Sequence, residues 1–368
     1  MKRICNKKSI FQIFIFFIVF GIYSCNNAGS VTTKDYSNIS AQLSNEKPYI
    51  VMLSVDGFRW DYPDSTETPN LDYIERKGVK AKSLKPCFPS KTFPNHYSIA
   101  TGLYPDHHGI IFNNFYDPEM DKYYSISKRK SVRNPDFYGG EPIWNTAEKQ
   151  GVKAGSYFWV GSEAPVQGII QTHSKEYRHN FPFEQRIDSV IAWLTLPVAV
   201  RPHLITWYIH EPDMCGHIYG PDSKETREMN TYLDSLIGVF IRKVEKLPHS
   251  DKINIIVTSD HGMCNVSADR RIIFSDYVKQ KWFDIIEGSN PVFNLKPKEK
   301  YYDTVYSILK KVPHIKVWKP AEVPERLHYG TNPRVLDIIV VADSAWSIGW
   351  KHSRYAEKGT HGYDNNRV

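Results

Sequence analysis

Apolar runs of six or seven residues alternate with amphipathic helical segments through most of this chain, which confines it to an α/β fold around a largely parallel sheet. Tyr49 to Val55, Leu204 to Ile209, Ile253 to Thr258 and Val335 to Val341 read as strands. The helix after the first run starts at Thr68-Pro69, turns Leu71 and Ile74 inward and stops at Gly78. Met229, Leu233, Leu236, Ile237, Phe240, Ile241 and Val244 recur at helical spacing and predict one long amphipathic helix. Residues 287–330 are rich in Pro and Lys and offer little pattern beyond an amphipathic stretch near Tyr302 to Lys311. The body has no internal repeat and no low-complexity segment.

Residues 1–25 read as a targeting segment rather than part of the fold. Lys2, Arg3, Lys7 and Lys8 precede an apolar run from Ile10 to Ile22 that is short for a membrane span. Ser24-Cys25 closes it in the manner of a bacterial lipoprotein signal, which predicts a lipidated Cys25 and an exported, membrane-anchored, periplasm-facing protein. Ordinary cleavage and an uncleaved anchor are the alternatives. Residues 26–46, rich in Ser, Asn, Thr and Ala, read as a flexible tether, and residues 47–368 as the globular body. Without the four basic residues of the targeting segment, 43 Lys and Arg face 40 Asp and Glu, a net charge of +3 instead of +7. So small an excess gives no reason to expect duplex nucleic acid as a partner. Cys87, Cys215 and Cys264 lack the density of a disulfide framework or the Cys-x-x-Cys spacing of a thiolate zinc site. No feature demands a dimer.

Five polar islands punctuate the body: Asp56-Gly57, Thr92, Asp213-x3-His217, Asp260-His261-Gly262 and His361-Gly362. Three follow strand candidates, where open α/β sheets gather ligands. Their carboxylates, imidazoles and single hydroxyl fit a two-metal hydrolytic centre with its own nucleophile, since zinc takes Asp oxygen and His nitrogen. Asp213 and His217, four apart, share a face if that segment is helical. Asp260 and His261 are adjacent and need a tight turn, which Gly262 permits. Pro94 suits a first helical turn, which puts Thr92 at a helix N-terminus where an alkoxide is favoured. Taken singly, each Asp also reads as a turn residue and Thr92 as a helix cap.

Val55-Asp56-Gly57-Phe58-Arg59, Phe88-Pro89-Ser90-Lys91-Thr92-Phe93-Pro94-Asn95-His96-Tyr97, Thr101-Gly102-Leu103-Tyr104-Pro105, Glu211-Pro212-Asp213 with Gly216-His217, and Ser259-Asp260-His261-Gly262-Met263 together resemble the nucleotide pyrophosphatase/phosphodiesterase family of the alkaline phosphatase superfamily. The resemblance runs from about residue 48 to 364. It implies an alkaline-phosphatase-like fold and two zinc ions per chain. Asp213, His217 and His361 would hold the zinc that activates water, and Asp56, Asp260, His261 and the Thr92 oxygen the zinc that activates the nucleophile. Thr92 would attack phosphorus to give a nucleotidyl-threonine, which water converts to a nucleoside monophosphate. Asn113 matches the family's donor to a non-bridging phosphoryl oxygen. Phe93 and Tyr177 match the residues that sandwich the nucleobase, Trp159, Val160 and Glu163 the neighbouring pocket wall, and Lys91 a basic residue near the distal phosphates. The sequence stops seven residues after His361, whereas the family usually continues, so a truncated domain or a fraying segment around His361 is expected. Two competing readings remain. Cys87-Phe88-Pro89-Ser90-Lys91 approaches a sulfatase pattern, and loss of the His361 site would leave an inactive, lipid-anchored nucleotide binder.

Overall fold

The computed structural model describes residues 47–352 and 357–366, so residues 1–25, read above as a targeting segment ending at Cys25, and residues 26–46, read as a tether, lie outside the described residues. Five strands make the central sheet: β1 (Tyr49–Val55), β2 (Ala154–Tyr157), β3 (His173–Lys175), β4 (Leu204–Ile209) and β5 (Ile253–Thr258). Their order is β3-β2-β4-β1-β5 and every pairing is parallel. β1 therefore lies between β4 and β5, with Val55 opposite Ile209 and Ser54 opposite Thr258.

The helices that frame this sheet are α1 (Pro69–Lys77), α2 (Thr92–Thr101), α3 (Ile143–Lys149), α4 (Phe183–Leu194), α5 (Asp213–Tyr219) and α6 (Lys224–Val244); α7 (Tyr302–Leu309) follows later. The two faces of β1 show the layering. Val51, Leu53 and Val55 join a core with Val190 of α4 and Leu233, Ile237 and Phe240 of α6. Ile50 and Met52 pack instead on the core that contains Tyr97 of α2 and Trp144 of α3. Burial on both faces explains why β1 and β4 read as continuous apolar runs, β4 being buried along its whole length, whereas β5 at the sheet edge keeps one face partly exposed.

α6 is the long amphipathic helix expected, with Met229 half-buried and Leu233 to Val244 presenting the buried stripe. Ser223 caps it by accepting the Thr226 N–H at 3.1 Å. α1 spans the predicted residues, but its inward contacts are weaker, with Leu71 and Ile74 only half-buried. Thr68 makes no capping hydrogen bond; Asp234 of α6 instead accepts the Asn70 and Leu71 N–H groups at 3.1 and 2.8 Å. A buried carboxylate from a neighbouring helix thus does the work of a local cap.

The last predicted strand departs from expectation. It runs Ile338–Ala342 and belongs to a separate antiparallel sheet of β6 (Phe283–Ser289), β7 (Val292–Pro297), β8 (Ile315–Trp318) and β9 (Ile338–Ala342), ordered β6-β7-β9-β8. Residues 287–330, nearly patternless in sequence, supply much of it. β7 is almost wholly buried although it contains Asn294 and Lys296, and polar residues inside a buried strand erase the apolar run that periodicity relies on. Pro48–Val368 make one compact unit. No helix among the described residues is long and apolar enough to cross a membrane.

Candidate active site

Three adjacent strands deliver the carboxylates. Asp56 follows β1 directly and its N–H donates to Ile209 O at 2.9 Å, extending the β1–β4 pairing by one residue. Asp213 opens α5, four residues beyond β4, and Asp260-His261 follow β5 in a bend whose Asp260 Oδ1 accepts the Gly57 N–H at 3.1 Å. Thr92 is the first residue of α2, so the N-terminal end of that helix meets the same sheet edge. His361 arrives from far along the chain and is not frayed. Gly359–Thr360 pair with Cys264–Asn265, Lys358 N–H donates to His217 O at 2.9 Å, and Gly362 N–H donates to Ser90 Oγ at 3.0 Å. Just beyond, Asp364 is held by Arg326 at 2.6 Å.

The ligand atoms fall into two groups. Asp213 Oδ1 lies 3.5 Å from both His217 Nε2 and His361 Nε2. Asp56 Oδ1 lies 3.4 Å, Asp260 Oδ2 3.1 Å and Thr92 Oγ1 3.3 Å from His261 Nε2. Asp213 is close enough to share in the second group with Asp56 and His261. The helical turn predicted for Asp213 and His217 is present, and a bend at Asp260, rather than a regular tight turn, brings its carboxylate to His261 Nε2.

All three imidazoles are oriented alike. Nδ1 of His217, His261 and His361 meets a backbone carbonyl, Gly359 O at 2.9 Å, Gly262 O at 2.9 Å and Ser90 O at 2.7 Å. A carbonyl only accepts, so each Nδ1 carries the proton and each Nε2 offers a lone pair to the centre, as metal-ligating histidines do. Asp56 Oδ1, Asp213 Oδ1 and Asp260 Oδ2 are buried without a hydrogen-bond donor. Burial, with Asp260 and Asp213 nearby, pushes the Asp56 carboxyl well up; burial also raises Asp213, against the pull of His217 and His261. Burial alone would raise Asp260 too, but positive charge on the adjacent His261, itself raised by Asp260 against burial, and on His96 holds it well below the usual carboxylate range, a role that a bound cation would take over. Buried carboxylate oxygens without donors, facing imidazole lone pairs, fit divalent cations.

The centre opens into a cleft of about 390 Å³. Thr92, Phe93, Lys91, Asn113, Trp159, Glu163 and Tyr177 all line it, together with Asp56, Asp213, His217 and His361. Asn113 Oδ1 accepts the Phe93 N–H at 3.0 Å, which leaves its amide NH2 as the group able to donate. Trp159 donates its N–H to His96 O at 3.0 Å, so this wall residue also braces α2. Glu163 is less a free wall than a tie: its carboxylate accepts the Tyr177 N–H at 2.9 Å and pairs with Arg129 and Arg133. Lys91 is buried and donates to Asn290 O at 2.6 Å; burial lowers it to about 8, against the opposing charges of Glu357 and Asp213. Cys87 does not line the cleft, and burial pushes its thiol up to about 12.

Two supporting residues escaped the sequence reading. His96 Nδ1 lies 3.0 Å from Thr92 O and 3.2 Å from Asp260 Oδ2, and its Nε2 meets Ser54 Oγ at 2.9 Å. Its position one helical turn after Thr92 was the available signal. Tyr208 donates its hydroxyl to Asp56 Oδ2 at 2.6 Å, and nothing in the apolar run of β4 announces that role.

The family model described as type I phosphodiesterase / nucleotide pyrophosphatase matches residues 50–364. Venom phosphodiesterase 2 of Crotalus adamanteus is 38% identical over 331 residues, 87% of this chain and 41% of that protein. Ectonucleotide pyrophosphatase/phosphodiesterase family member 1 of Homo sapiens is 38% identical over 335 residues, 87% of this chain and 36% of that protein. The chain thus spans less than half the length of these relatives. Among solved structures, murine ectonucleotide pyrophosphatase/phosphodiesterase 5, an inactive form in complex with AMP, superposes with a TM-score of 0.82 at 34% identity, covering 87% of this chain and 85% of that one. Extended identity and a shared fold over the residues that build the cleft lead to one conclusion: this chain belongs to the type I phosphodiesterase/nucleotide pyrophosphatase family.

Proposed function

We propose that the chain is a zinc-dependent hydrolase of nucleotide phosphodiester and pyrophosphate bonds, releasing a nucleoside 5′-monophosphate through a nucleotidyl-threonine formed on Thr92. The observation that carries this is the convergence of three donorless carboxylate oxygens and three imidazole Nε2 atoms around one hydroxyl at a helix N-terminus. Asp213, His217 and His361 would hold one zinc ion; Asp56, Asp260, His261 and the Thr92 oxygen would hold the other. When bound, the two ions supply the positive charge that offsets the buried carboxylates and stabilises the phosphoryl oxygens.

The protein's own contributions follow from the geometry. Thr92 Oγ1 forms the bond to phosphorus as the bond to the leaving oxygen breaks, and water then displaces the threonine oxygen. Asn113, fixed by the Phe93 N–H, donates from its amide to a non-bridging oxygen. Phe93 and Tyr177 stack on the base, and Lys91 carries charge toward the distal phosphates. The AMP complex of the murine neighbour supports a nucleotide in this cleft. A formylglycine-type sulfatase is disfavoured because Cys87 stands apart from the cleft that Thr92 lines.

The test is a chelator titration with zinc add-back, scored on ATP and on a p-nitrophenyl nucleoside monophosphate diester. Activity should fall with chelation and return with zinc. In the zinc-loaded protein, Thr92→Ala should lower turnover by about a thousandfold or more while far-UV circular dichroism is unchanged. Wild-type turnover in that variant would remove Thr92 as the nucleophile.

A further inference from the structure

Beside Tyr177 the cleft carries two imidazoles that the mechanism does not use. His179 and His210 both line it, and their rings lie against each other with centroids 4.0 Å apart and planes tilted by 30°. Behind them sits Arg186 of α4, fully buried and without a carboxylate partner among the described residues. Its Nε donates to Phe181 O and its Nη2 to His179 O, each at 3.0 Å, and Nη2 also meets His210 Nδ1 at 3.4 Å. A guanidinium has only donors, so the His210 nitrogen that faces it is a lone pair and the ring proton resides on Nε2. Burial, together with His179 and Arg186, pushes His210 down to about 3, consistent with a neutral ring.

The other polar groups on this side agree in sign. Tyr177 OH meets His179 Nδ1 at 2.9 Å. Arg129 lines the cleft, while the carboxylate of Glu163, the acceptor nearest to it, is occupied by Arg129, Arg133 and the Tyr177 N–H. The wall next to the base site is thus rich in hydrogen-bond donors and backed by a buried cation, which favours acceptor atoms on the ligand.

We infer that His210 Nε2–H, with Arg129, reads carbonyl acceptors on the nucleobase, so that the cleft prefers keto bases of the uracil and guanine type to amino bases of the cytosine and adenine type. This rests on the proposed base site between Phe93 and Tyr177. Uracil and cytosine are the sharpest pair, because they match in shape and differ only along one edge, where the 4-carbonyl acceptor of uracil becomes an amino donor in cytosine and the polarity of N3 reverses with it.

The experiment measures kcat/KM of the zinc-loaded protein on the p-nitrophenyl 5′-esters of UMP, CMP, GMP and AMP, with bis(p-nitrophenyl) phosphate alongside. The wild type should favour U over C and G over A by about three- to tenfold, the scale of one hydrogen bond. His210→Phe keeps a ring against His179 and Phe183 but lacks the N–H, and should bring both ratios close to one. Ratios taken within one preparation cancel any loss of folded protein, and the wild-type ratio decides the matter even if the variant does not fold. Equal wild-type rates on U and C esters overturn the inference, as does an unchanged ratio in His210→Phe. If nucleoside esters outrun bis(p-nitrophenyl) phosphate but U equals C, only this inference falls; if they gain nothing over it, the base site falls as well.

Discussion

Residues that never touch substrate decide whether Thr92 can act. His96 hydrogen-bonds the Thr92 carbonyl through Nδ1 and brings that nitrogen to 3.2 Å from Asp260 Oδ2, so it ties the nucleophile's helix to the surroundings of one expected metal ligand. Partners of this kind are commonly worth about 10- to 100-fold in metal affinity. His96→Ala should weaken zinc binding by that factor in a competition titration, and affinity equal to wild type would exclude the role. Phe93→Ala should lower kcat/KM on nucleotide diesters about 10- to 100-fold, the scale of a lost base stack of ~1–3 kcal/mol, and spare bis(p-nitrophenyl) phosphate more. Equal losses on both would end the stacking assignment. The carboxylates and imidazoles that converge on the centre were all named from the sequence, because the resemblance to a known family singled them out from residues that taken alone read as turns and caps. Tyr208, His179 and His210 were not, because a hydroxyl or imidazole inside or beside an apolar strand carries no local mark of what it faces.

Elements were legible where one face or both are apolar without interruption. β1, β4, β5 and α6 stand where the sequence puts them, whereas β6 to β9 were mostly hidden by buried polar residues. One of those residues gives that sheet a pH dependence. Glu287 in β6 accepts the Tyr116 N–H from the hairpin 114–125, and burial raises its carboxyl from 4.5 to about 8. In the folded state it stays protonated up to about pH 8, while the unfolded chain releases the proton near 4.5. The protonated group therefore favours the fold fully below about 4.5, and that contribution is lost as pH rises through about 8. Glu287→Gln should flatten this part of the stability curve and be more stable than wild type at pH 8.5, by on the order of 1–3 kcal/mol. Denaturant melts at pH 5 and 8.5 check it; an identical pH dependence in both proteins would sink the assignment.

For the molecule as a whole, the centre is a concentration of buried charge that the fold holds together against its own repulsion. Asp56, Asp213 and Asp260 are brought to one edge, each with one oxygen left without a donor. Cations that bind only the folded state should therefore raise stability, by about 2.7 kcal/mol at a hundredfold excess over Kd. Stripping zinc should lower Tm by several degrees and re-addition should restore it, measured by differential scanning fluorimetry. A Tm indifferent to both treatments would exclude metal binding by the native centre.

The place of β1 has a further effect, on the order of assembly. The first strand of the body pairs with strands whose residues lie some 150 and 200 positions later, Ile50 with Leu204 and Tyr49 with Ile253. His361 completes the ligand set from the far side of both. Such long-range closure is slow, because loop entropy opposes it before contacts compensate. A nascent chain holds its Asp56 and Thr92 long before the residues that join them in the centre, and the group of Asp213, His217 and His361 is complete only when residue 361 docks. Under the proposed assignment, full metal uptake would report finished folding, and a chain arrested before that point would lack one of the two expected ions.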